Sequence, residues 1–355
     1  MPTRRHVLGG LAAAPLLSRA AWAEVGAPTH VAAARRGNGS YALFGMTGVG
    51  DVAFEVPLPD RGHAAAAHPV RAEAVAFARR PGTFALVIDC ADGRVLRRLD
   101  SPPGRHFYGH GAYDRSGDML LTTENDYESG EGRIGIWDVG AGYLRIGEVP
   151  SGGIGPHEIL RLPGTDRFVV ANGGLRTHPD SDREVLNPDT MRPNLSFLSD
   201  GSTDRVVELE PALRRNSIRH LAARRDGTVA AALQWQGDLS EVVPLLALMP
   251  SEGPVRLLAD ADPGQAELQG YAGSVAFDGA GGRVAITSPR GGLAQIWEVA
   301  SPGEPQILRR PDICGVARAA EGFVFSDGGG GWLTAPAPQV HPVAWDNHIV
   351  SLLAG

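Results

Sequence analysis

Five histidines fall at one position of a repeated unit. Gly62-His63, Gly109-His110, Pro156-His157, Arg219-His220 and Asn347-His348 each open a short apolar run, and Gly273-Ser274 and Ile313-Cys314 open two more in the same cadence. A neutral imidazole is a good ligand for copper, zinc or iron, so rings converging from equivalent positions of a closed repeat would form a transition-metal site. His63, His110, His157, His220 and His348 are therefore the candidate metal ligands. Where histidine is replaced, Ser274 and Cys314 keep the position polar. A second reading stands beside this one. WD-type repeats carry a Gly-His pair whose ring hydrogen-bonds within its own blade, and Gly109-His110 followed by Trp137-Asp138 fits that pattern. On that reading the histidines are copied structural contacts.

Such a ring needs a scaffold that brings seven chain segments to one axis. The anchors are 47, 47, 63, 54, 40 and 34 residues apart, the spacing of four-stranded propeller blades with their loops. Between anchors, three short apolar runs recur between Gly, Pro or Asp turns, as in 73–78, 83–89 and 94–100, the pattern of an antiparallel meander. The last anchor has no strands after it, whereas three strands lie unclaimed between His30 and Pro57. Joining the two chain ends in one blade would remove the open sheet edges. The fold expected is all-β: a single seven-bladed β-propeller over residues 24–355, closed by N-terminal strands pairing with the C-terminal strand. The unit after Ile313 is the weakest, with Pro336, Pro338 and Pro342 where strands should run, and Glu241–Met249 suits a short helical turn.

The ends of the second strands should return to the same face as the starts of the first. They carry Glu124, Asn125, Asn172 and Arg290, which become candidate ligand-binding residues, although Asn and Asp at strand ends are also ordinary turn residues. After Asn172 the cadence lapses until about Asp204. A loop this long is uncommon unless functional, so 173–203 is read as a lid over the histidine mouth, offering Arg176 and His178. No nucleophile elbow, zinc-protease helix, phosphate loop or haem-attachment motif occurs, and no catalytic residue is assigned.

At the N-terminus, Arg4-Arg5 precedes an apolar run from Val7 to Leu17 and then Ala21-Trp22-Ala23, the form of a twin-arginine export signal over residues 1–23. The mature chain would be periplasmic, with no later apolar stretch long enough to span a membrane. Losing Arg4, Arg5 and Arg19 would move the formal charge from −7 to −10, which disfavours nucleic acid as a partner. Cys90 and Cys314 fall in different repeat units and read as two separate thiols.

The runs at 172–179, 186–195 and 217–221 and the closing 345–348, together with the paired arginine, resemble the bacterial family of domain of unknown function 1513. The likeness spans the whole mature chain. It implies a periplasmic WD-type propeller associated with iron-acquisition proteins, and it transfers no catalytic residue. Three functions follow in order of preference: a metal-linked binding protein with a histidine ring, an interaction scaffold for iron-acquisition partners, and a lactonase-like hydrolase suggested by Arg219-His220 and acidic residues at the mouth.

Overall fold

Seven four-stranded antiparallel sheets stand around a common axis in a computed structural model that describes Trp22 and residues 28–181, 184–259 and 264–352. The export segment proposed for residues 1–23 lies, apart from Trp22, outside the described residues. The innermost strands, in ring order, are Val343–Ser351, Gly62–Ala67, Arg105–Tyr113, Pro156–Arg161, Asn216–Ala223, Ser274–Phe277 and Ile313–Arg318, each packed against the next. The ring closes as the sequence implies. Val343–Ser351 pairs with His30–Arg36, which continues into Tyr41–Met46 and Val52–Leu58, so one blade is built from both ends of the chain.

The blades cohere through both sheet faces. Strands such as Val229–Trp235 are buried along their whole length because each sheet is sandwiched between two neighbours. One apolar cluster runs through three successive blades, joining Leu195 and Phe197 to Ile218 and Leu248 and then to Phe277 and Trp297. Fully burying a side chain of this size contributes about 1.5–3 kcal/mol, so the blades stabilise one another.

Three sequence expectations change. The lid is shorter than 173–203, because Asn194–Ser199 is the third strand of its blade and Ser202–Glu208 the fourth. Leu195, Phe197 and Leu198 fill the core rather than covering a face. Leu246–Met249 is a fully buried strand rather than a helical turn, since the central position of a propeller sheet suits a short continuous apolar run after Pro244. The blade opened by Ile313 does complete four strands, but its prolines confine the outer two to Gly331–Leu333 and Gln339–Val340. Cys90 and Cys314 are both buried free thiols.

Candidate metal centre in the propeller channel

A regular inner strand sends its side chains to the neighbouring blades, leaving only backbone toward the channel. Six of the seven inner strands break that regularity at the anchor. The pairing register shifts between Gly62 and Ala65, between Phe107 and Gly111, across His157, across Arg219, across Cys314, and opposite Asp346–His348. A bulge inserts unpaired residues and re-aims their side chains. Only Ser274–Phe277 pairs without a shift, and its anchor is Ser274. The repeated histidine is thus coupled to a repeated backbone irregularity.

The five imidazoles meet at the axis. Ring centroids are 4.4 Å apart for His63 and His348, 4.5 Å for His157 and His220 and for His220 and His348, 4.9 Å for His63 and His110, and 5.3 Å for His110 and His157. All five are buried, so they plug the channel instead of lining an open mouth. Two triads have ligand atoms within 4.8 Å of one another: His63, His110 and His157, and His110, His220 and His348. His110 belongs to both. Cys314 takes no part; its thiol lies against the backbone of Ser326, Trp345 and Asp346 between two blades. Ser274 sits near Val316 of the adjacent inner strand.

Several ring nitrogens have no partner. His110 Nε2, His157 Nδ1 and His348 Nε2 are buried without a hydrogen bond, and His63 Nδ1 has only Asp346 at 3.9 Å, although such groups are normally satisfied. The ring of His110 does not bond within its own blade, and the Trp137 indole donates instead to Thr122 Oγ1 at 3.0 Å. Burial depresses every one of the five below the usual imidazole range: His63 falls to about 4, and the other four lie well below their normal value, with neighbouring rings or Arg219 adding to the effect. The cage is therefore uncharged at neutral pH, the state in which imidazole ligates.

Two carboxylates serve the cage from outside. Glu158 Oε2 is 3.3 Å from His220 Nδ1 and 3.7 Å from His110 Nδ1, and it accepts a hydrogen bond from the Leu221 amide. Once ionised, Glu158 would accept from Nδ1 and so fix the tautomer that leaves Nε2 free for a metal. Burial pushes Glu158 up to about 8, against the Leu221 hydrogen bond, so it holds a proton near neutrality and can release one when a cation binds. Asp346 lies 3.9 Å from His63 Nδ1 and is bound by Arg61 at 2.6 Å and Arg79 at 3.4 Å. Despite the cost of burial, these neighbours keep Asp346 ionised well below the usual carboxylate range. Neither acid was among the residues singled out by sequence, yet His157-Glu158 and Asp346-Asn347-His348 place an acid beside an anchor in otherwise apolar strands.

The two sides of the plug differ. On the side where the inner strands end, a cavity of about 480 Å³ descends to His110, His220, His348 and Glu158, with Arg161 and Arg318 among its lining residues. On the lid side, a second cavity of about 380 Å³ is bounded by Arg61, Arg79, Arg80, His106, Thr177 and His178. The cavity that reaches the cage histidines thus faces away from the lid.

The candidate ligand-binding residues are dispersed around the lid face. Glu124 is buried and held within its own blade by Thr122 and by Arg145 at 2.8 Å each, and burial raises its carboxyl. Asn172 ties Ser151, Asn194 and Ser196 together. Asn125 bridges His106 and the Thr177 carbonyl, pinning the lid. Arg176 donates to the Glu128 carbonyl at the rim, and His178 lies near Glu128 and Asp180. Arg290 stacks 4.4 Å over the Tyr271 ring. None of the six contacts the histidine cage. Their polarity is used to fix strand ends and loops, work that sequence cannot tell from ligand binding.

The family model for the protein of unknown function DUF1513 matches residues 56–352, so the chain belongs to that family. No curated protein matches the chain significantly. Among solved structures, it is similar to a chain of Kuenenia stuttgartiensis hydrazine synthase, with a TM-score of 0.58 and 14% identity, covering 81% of this chain and 86% of that one. At that identity the likeness concerns the fold. No helix among the described residues is long and apolar enough to cross a membrane.

Proposed function

We propose that this member of the DUF1513 family is a periplasmic metal-binding propeller whose channel cage holds a transition-metal ion. The observation that carries the reading is the meeting of five buried, neutral imidazoles, with ring nitrogens of His110, His157 and His348 left without a hydrogen bond. An uncharged nitrogen cage with no thiolate suits copper, zinc or iron and is unsuited to calcium or magnesium, which require oxygen ligands. The triad of His110, His220 and His348 forms the floor of the larger cavity, so a metal held there would have one coordination position toward that space. Twin-arginine export fits this role because it delivers protein already folded. Service beside iron-acquisition proteins is the biological setting the family resemblance suggests.

The test is elemental analysis of protein exported to the periplasm in its native form, compared with the His157→Ala/His220→Ala double variant. That variant takes one ligand from each triad. The expected result is stoichiometric metal in the parent protein and its loss from the variant, with the β circular-dichroism spectrum retained. Chelation and reloading of the unaltered chain provides a check independent of folding. A parent protein that neither carries nor takes up copper, zinc or iron would refute the proposal and return the histidines to the structural reading.

A further inference from the structure

The least compensated charge near the channel is not in the cage. Arg219 is only 7% exposed, and its Nε has no hydrogen-bond partner. Its electrostatic neighbours are Arg80, Tyr271, Tyr108 and Arg79, with no carboxylate among them. A guanidinium stays cationic at neutral pH, so the charge is buried as such. Breaking or omitting the partner of a buried ion is strongly destabilising, so a fold that keeps Arg219 unpaired requires an explanation.

The surroundings suggest one. Arg219 is the extra residue of its bulge, so the irregularity that aims His220 inward also displaces Arg219 from the sheet pairing. The buried Tyr108 hydroxyl has no hydrogen-bond partner and lies beside Gly155, whose carbonyl accepts from the Gly173 amide at 2.8 Å. Glycine at 173 keeps the lid backbone clear of the guanidinium, since a Cβ there would lie 3.1 Å from Arg219 Nη1. That approach to Gly173, at the start of the lid, places the guanidinium on the lid side of the cage.

We infer that Arg219 and Tyr108 form a binding site for a small oxyanion or carboxylate, beneath the lid and on the side of the cage opposite the larger cavity. The guanidinium supplies charge and directed donors, and the phenol supplies one further donor. The anion replaces the missing counter-charge. Ligand capture by Arg219 does not depend on the cage being loaded, so this inference can stand or fall apart from the metal reading.

The experiment titrates the full chain, metal-stripped and metal-loaded, with inorganic phosphate in one arm and malonate in the other, at low ionic strength by calorimetry. The parent should bind at least one of the two saturably at a single site, the arm that binds separating an inorganic oxyanion from an organic carboxylate. Arg219→Met should weaken binding by about tenfold or more, and Tyr108→Phe by about threefold to tenfold. In anion-free buffer, Arg219→Met should also raise the thermal midpoint, because replacing an uncompensated buried charge by an apolar side chain of similar length relieves its desolvation. A merely structural arginine would give the opposite shift. Absence of saturable binding in both arms, unchanged binding by Arg219→Met, or a lowered midpoint would each overturn the inference.

Discussion

The chemistry of the channel depends on which groups carry protons. The five cage histidines titrate below the ordinary imidazole range, so below pH 6.5 the unfolded chain takes up protons that the folded cage refuses. Stability therefore falls as pH drops from about 6.5 toward 4, and bound metal should leave over the same interval. Denaturant midpoints of metal-free protein measured across that range check the first expectation, and metal retention on a desalting column checks the second. Glu158 has the opposite sign. Its folded value lies above its usual one, so ionisation of the unfolded chain erodes stability as pH rises from about 4.5 toward 8. Glu158→Gln should remove that slope in the metal-free protein. It should also weaken metal binding about 10–100-fold, as loss of a carboxylate behind a ligating histidine does.

The bulges are the elements that turn a structural ring into a candidate site. Gly109 shows how closely they are built: its φ is +101°, and a Cβ there would stand 2.5 Å from the His63 ring. Gly109→Ala should cost about 1–3 kcal/mol from backbone strain alone. It should also displace His63 and lower metal capacity, which combined thermal denaturation and metal analysis would show. The shortened lid is a second element with its own anchors, since Leu175 and Met191 are buried while Leu186 is exposed. Met191→Ala should release amide protection across 174–181 and 184–193 in hydrogen exchange and leave the blade strands protected.

For the whole molecule, closure is the decisive interaction. The strand Val343–Ser351 contributes the inner edge of one blade, the Cys314-side packing through Trp345 and Ile349, and the cage residue His348 together with Asp346. Truncation after Pro342 should remove all of these and leave the His30–Arg36 edge unpaired. Loss of the single cooperative calorimetric transition, with aggregation, is the expected result. A truncated chain that unfolds as cooperatively as the parent would show that the ring does not depend on its closing strand.

Sequence alone determined the repeat, its number, the closure by the two chain ends and the identity of the five histidines, because in a rotational repeat equivalent residues must reach equivalent places. It could not place them along the axis. The register shift at each bulge decides whether a side chain enters the channel or the gap between blades, and Cys314 went to the gap. It also could not separate site from support among Glu124, Asn125 and Asn172, because the same polar groups that bind ligands also pin strand ends. Glu158 and Arg219 matter through partners more than forty residues away in sequence or through the lack of any partner. Those are properties of packing and electrostatics, and they exist only once the seven blades have closed.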